Sequence, residues 1–149
     1  MRALPVVAVA MVLVLVLLAI AGASSPIGLV KVTEGIATVQ RGDETLPARL
    51  GLALQEGDVL RTGADGRMGV VLRDDTRLSL GPESEIQINH FVFAPAKGHL
   101  ALVVKMARGV MAFVSGNIAK LSHDAVRVET PVAIVGVRGT QFLVKVETQ

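Results

Sequence analysis

The chain contains no cysteine, no tryptophan and no tyrosine, and only four phenylalanines and three histidines among its 149 residues. The missing thiols exclude a disulfide, a cysteine-ligated zinc, a thiol nucleophile and lipid attachment through cysteine. Aromatic poverty removes the stacking platforms that glycan binders and single-strand nucleic-acid binders use. A strong charge of either sign is missing too. The formal net charge is +2, and setting Arg2 aside leaves 14 basic against 13 acidic side chains, scattered among one another. Without a basic stripe, nucleic acid is not an expected partner. His90, His99 and His123 do not fall at metal-ligand spacing, so no metal is expected. Neither a glycine-rich phosphate loop nor a serine elbow with a matching histidine is present, so neither a cofactor nor an enzymatic activity is expected.

Two things are abundant: an apolar N-terminus and short alternating runs. Ala3 to Ala21 carries no charged side chain, follows Met1-Arg2, and ends at Ala21-Gly22-Ala23. This is an export signal over residues 1–23, either cleaved before Ser24 or kept as an apolar helix anchoring the chain in a membrane through residues 3–21. Arg2 ahead of the run leaves the N-terminus in the cytoplasm and the remainder outside, in the periplasm or at the cell surface.

Beyond residue 28 the pattern predicts an all-β domain spanning 28–147, with many short strands in a rolled or solenoid-like β sandwich. Turn residues recur every few positions between period-two apolar runs. Glu34-Gly35, Arg41-Gly42-Asp43, Gln55 to Asp58, Asp65-Gly66, Asp74-Asp75, Gly81 to Ser84, Ala94 to Gly98, Arg108-Gly109 and Ser115-Gly116-Asn117 read as turns. Arg41-Gly42-Asp43 has the letters of a cell-adhesion tripeptide, but in a short hairpin it reads as a turn. Asp74-Asp75 reads likewise as turn chemistry and not as a catalytic carboxylate pair.

The densest strand-forming run is Val126 to Val144. Thr130-Pro131 interrupts it, since proline has no ladder N–H and holds its predecessor extended, so a strand is expected on either side. Counting by two from Val132 reaches Ile134, Gly136, Arg138, Thr140, Phe142 and Val144, which puts Arg138 on the apolar face. Either a bulge at Gly139 shifts the register, or Arg138 points inward to a carboxylate such as Asp58, Asp75 or Glu129.

The pattern V-x-T-P-x-A-x-x-x-V-R-G-T-x-F-x-V, from Val128 to Val144, resembles the closing signature of the FecR domain family. Gly57-Asp58-Val59-Leu60-Arg61-Thr62, the run Val70 to Leu80, and Ser84-Glu85-Ile86 resemble that family's upstream segments in the expected order. Asp75 and Thr76 stand where the family usually has glycine and serine. The signature residues, expected to be structural before functional, are Gly57, Asp58, Thr62, Thr130, Pro131, Arg138, Gly139, Thr140 and Phe142.

The resemblance implies a regulator's sensory domain outside the cytoplasm, facing an outer-membrane receptor. Family members add a cytoplasmic anti-sigma segment, for which Met1-Arg2 leaves no room, so a stand-alone exported module is expected. Its predicted role is non-enzymatic sensing or protein interaction in a bacterial envelope, with a structural or surface-assembly role as the alternative. Envelope proteins are the expected partners. Leu46, Pro47, Ala96 and Lys97 are the expected contacts, because proline suits exposed edges and loop tips.

Overall fold

The computed structural model describes residues 24–139 and 141–148. The apolar segment 1–23, with its signal or anchor reading, and Thr140 of the closing signature lie outside the described residues. The described chain is mostly β. Its strands are β1 (Gly28–Glu34), β2 (Ala37–Arg41), β3 (Glu44–Pro47), β4 (Ala53–Leu54), β5 (Val59–Thr62), β6 (Arg67–Leu72), β7 (Arg77–Leu80), β8 (Glu85–Ala94), β9 (His99–Val114), β10 (Val126–Glu129), β11 (Ile134–Gly136) and β12 (Gln141–Val146). One short helix, α1 (Asn117–Leu121), and a 3₁₀ turn at Pro95–Lys97 complete the elements.

The strands form one path, β3-β2-β5-β8-β9-β7-β6-β1-β4, with β10, β11 and β12 branching from β9. Consecutive strands often do not pair. β1 pairs with β6 and β4, whereas β2 pairs with β3 and β5, so Glu34-Gly35 carries the chain from one half of the sheet to the other. The same passage recurs from β5 to β6 and from β7 to β8. The passages lie beside one another: Gly63 N donates to the Ile36 carbonyl at 2.8 Å, Glu83 N to the Gly63 carbonyl at 3.0 Å, and Gly81 N to the Val110 carbonyl at 3.0 Å. Stacked corners of this kind curl the sheet so that both halves share one core. Val30, Met68, Val70, Leu72 and Leu78 enter that core from one half, and Val39, Leu60, Ile86, Ile88 and Leu102 from the other.

The fourth corner lies inside a strand. Arg108-Gly109 reads as a turn in sequence, but β9 runs through it without a break. Before Gly109 the buried positions include Leu102, Val104 and Met106; after it they are Met111 and Phe113. That change of parity is what a bulge produces, and Gly109, with φ of +94°, hosts it. A side chain at Gly109 would overlap Ser84, whose Oγ donates to the Val110 carbonyl and accepts from Val110 N. The first half of β9 therefore pairs with β8 and β10, and the second half with β7 and β12.

Two further expectations are corrected. Ser115-Gly116-Asn117 does not close a hairpin; it leads into α1, which carries the chain across to β10, parallel to β9. Five residues are too few to display a helical period. The run after Pro131 is not one strand either. β11 pairs with β10 and β12 with β9, so the chain changes partner between Gly136 and Gln141. Counting by two across that change carries no information about facing.

Candidate functional site

Of the upstream signature residues, Asp58 and Thr62 are buried and Gly57 is exposed. The Asp58 side chain is 1% exposed and takes both oxygens to Arg41: Arg41 Nε donates to Oδ1 at 3.0 Å and Nη2 to Oδ2 at 2.8 Å. Gln55 N donates to the same Oδ2 at 2.9 Å, and Arg41 Nη2 also reaches the Ala53 carbonyl at 2.9 Å. The hydrogen bonds that Arg41 donates to Asp58 hold its guanidinium above its ordinary pKa against the opposing effect of burial, with smaller help from the charges of Asp58 and Glu44. Gly57, with φ of +90°, makes the turn that places Asp58 there. Thr62 is also buried. Its hydroxyl donates to the Gly81 carbonyl at 2.7 Å and accepts from Ser84 N at 2.9 Å, tying two corners together.

Asp74-Asp75-Thr76 is a turn whose first carboxylate is fully buried. Asp74 accepts from Thr76 N at 3.1 Å, from Thr76 Oγ1 at 2.7 Å and from Ile118 N at 3.2 Å, which anchors the start of α1. With its oxygens committed to donors inside the protein, Asp74 is placed as a fastening for the helix. Asp75 has φ of +67°, the left-handed conformation that glycine supplies at this position in the family pattern. Asp tolerates it better than most side chains.

The closing signature divides between core and surface. Thr130 forms the β10–β11 turn: its Oγ1 accepts from Ala133 N at 3.0 Å, and its N–H donates to the Ala133 carbonyl at 2.8 Å. Pro131 is exposed beside it. Val137 is buried and Phe142 stacks on Phe113 with ring centroids 4.9 Å apart. The Gly139 carbonyl accepts from Ser115 Oγ. Arg138 meets neither Asp58 nor Asp75 nor Glu129. It lies at the corner between β11 and β12, 79% exposed, with Asp124 Oδ1 at 3.4 Å. Asp58 is occupied by Arg41, and Glu129 accepts from Arg127 at 2.9 Å.

Of the expected contact positions, Leu46 and Pro47 lie on β3, the end of the strand path, and Ala96 and Lys97 on the exposed 3₁₀ turn joining β8 to β9. These two places sit on different elements from each other and from Arg138. His90 Nδ1 lies 3.1 Å from Glu56 Oε2, an exposed pair. Among the described residues, no group of histidines and carboxylates is placed to hold a metal ion. No helix among them is long and apolar enough to cross a membrane.

What sequence reading missed is a surface. Among the described residues, four of the nine exposed large apolar side chains, Val132, Ile134, Val135 and Leu143, belong to the β10–β11 turn, β11 and β12. An open groove runs between β11 and β12. The signal was present as apolar letters next to proline and glycine, but those letters also fit a core strand, and only the pairing of the strands separates the two.

No curated protein and no solved structure matches the chain. The model of the FecR protein family does match, over residues 58–149, which takes in Asp58, Thr62, the Asp74 turn, the β9 corner and the closing signature. That match covers more than half of the sequence, so the chain belongs to the FecR family.

Proposed function

We propose that this protein is a non-enzymatic, extracytoplasmic interaction module of a bacterial envelope, with a sensory role of the kind its family implies. The observation that carries this reading is the FecR match over residues 58–149. It is supported by the division of that segment into buried fastenings, such as Asp58 and Thr62, and an exposed apolar edge. The N-terminal apolar run with Arg2 ahead of it supports export, by a cleaved signal or an anchor. The carboxylates of the Asp74 and Asp58 clusters are already hydrogen-bonded within the fold, which favours binding over acid–base chemistry.

Affinity capture of the tagged full chain from envelope extracts tests the reading. A discrete envelope protein should be retained at stoichiometric yield. Reversing Lys97 to Glu, at the exposed 3₁₀ turn, should weaken that retention while leaving the thermal melt in place. A reproducible turnover activity that disappears on substituting Asp74, Asp75 or His123 would show that the protein is an enzyme instead.

A further inference from the structure

The β11 strand is held on one side only. Among the described residues it pairs with β10 and with nothing else, and all three of its residues are exposed. Val137 N donates to the Val126 carbonyl, and the Ala133 carbonyl accepts from Thr130 N, so the odd-numbered backbone groups face β10. By the alternation of an antiparallel ladder, the N–H and C=O groups of Ile134 and Gly136 point away from it. Across the groove, β12 pairs with β9 alone. The groove thus has one open strand edge with Val135 and Gly136 on one wall and β12 with exposed Leu143 on the other, and exposed Ile134 beside it. A row of unpaired amides flanked by apolar side chains is a template for an added strand.

Charge narrows the occupant. Arg108 and Lys145 both line the continuation of this groove past Val144. Lys145 is paired with Glu147 at 2.9 Å. Arg108 is only loosely compensated: its Nη2 lies 3.8 Å from Glu85 Oε2, and its Nε is buried with no acceptor among the described residues. Arg61 already holds that Glu85 oxygen at 2.9 Å. The Arg108 side chain is nevertheless 43% exposed, so a carboxylate entering the groove would meet its Nη groups and complete the charge that Glu85 only partly supplies.

We infer that the edge of β11 receives an extended segment of another protein, with alternate apolar side chains and one acidic residue meeting Arg108. This rests on the reading of the domain as a binding module and gives that reading a surface. The partner strand would hydrogen-bond to Ile134 and Gly136, bury Val135 and Leu143, and place its carboxylate at the exposed Nη groups of Arg108.

The test uses the full chain in detergent micelles and three fluorescent, end-capped peptides that alternate valine and threonine around a central Glu, Gln or Lys. Anisotropy should show saturable binding of the Glu peptide, about tenfold or more above the Gln peptide, as loss of a charge-assisted hydrogen bond predicts, with the Lys peptide weakest. Ile134→Pro removes one outward N–H while keeping the bonds to β10, and should abolish binding with little change in melting. Arg108→Gln should erase the preference for Glu. Equal binding of all three peptides, or none at all, overturns the proposal. A dimer in sedimentation that Ile134→Pro dissolves also overturns it, by assigning the edge to a second copy. If the peptides fail while the envelope partner is still captured, only this surface assignment falls; if capture fails as well, the binding reading falls with it.

Discussion

At the scale of single residues, the signature separates into groups that hold the fold and groups that face solvent, and stability measurements distinguish them. Asp58 is buried against Arg41 in a two-point ion pair, so Asp58→Ala leaves a guanidinium without its carboxylate and should cost about 3 kcal/mol in denaturant unfolding. Arg41→Lys should recover only part of that loss, because an ammonium cannot match both carboxylate oxygens. The sign of the pH dependence follows from the raised pKa of Arg41. Its stabilisation is fully present below the ordinary guanidinium value and is lost only as pH rises through the higher folded value, so titration of Arg41 leaves stability unchanged at neutral pH. Arg138 is the contrasting case. Exposed and 3.4 Å from an equally exposed Asp124, it should leave the melt within about 0.5 kcal/mol of the parent when changed to Ala. A loss near that of Asp58→Ala would mean that Arg138 is buried in solution.

At the scale of elements, the corners organise the molecule, and the one at Gly109 has no turn to mark it. Its φ of +94° disfavours any side chain, and a Cβ there would overlap Ser84. Gly109→Ala should therefore cost at least about 1–3 kcal/mol from backbone strain alone, read as a lower denaturation midpoint at unchanged slope. An unchanged midpoint would mean that β9 crosses between the halves without a bulge. Much of this was legible in the sequence. The alternation of Leu100, Leu102, Val104 and Met106, and its resumption on the opposite parity at Met111 and Phe113, is visible without coordinates. What periodicity cannot report is which strand lies beside which. Arg108-Gly109 has turn chemistry in either case, and only the pairing of β9 with both β8 and β7 makes it a bulge. The same limit explains Arg138. Its facing was counted along a strand that changes partner after Gly136, whereas the Thr130-Pro131 break was read correctly because proline acts on its own backbone. The helix α1 escaped because its fastening, Asp74, lies more than forty residues away.

At the scale of the whole molecule, a curled sheet with stacked corners presents three outward-facing places: the β3 end of the strand path, the 3₁₀ tip at Pro95–Lys97, and the β11–β12 groove. The family's residues account for the corners, and the apolar groove is the part that the fold does not use. A module that acts by association should reveal its partner from these places and not from the structural face. The most direct measurement is photo-crosslinking in cells, with a photoreactive amino acid placed in turn at exposed positions 97 and 134, and at Arg77 of β7 as the control. The account predicts a discrete crosslinked species in the envelope fraction from 97 or 134, with a second protein in it, and none from 77. Uncrosslinked protein at all three positions, or adducts found only with cytoplasmic proteins, would contradict it.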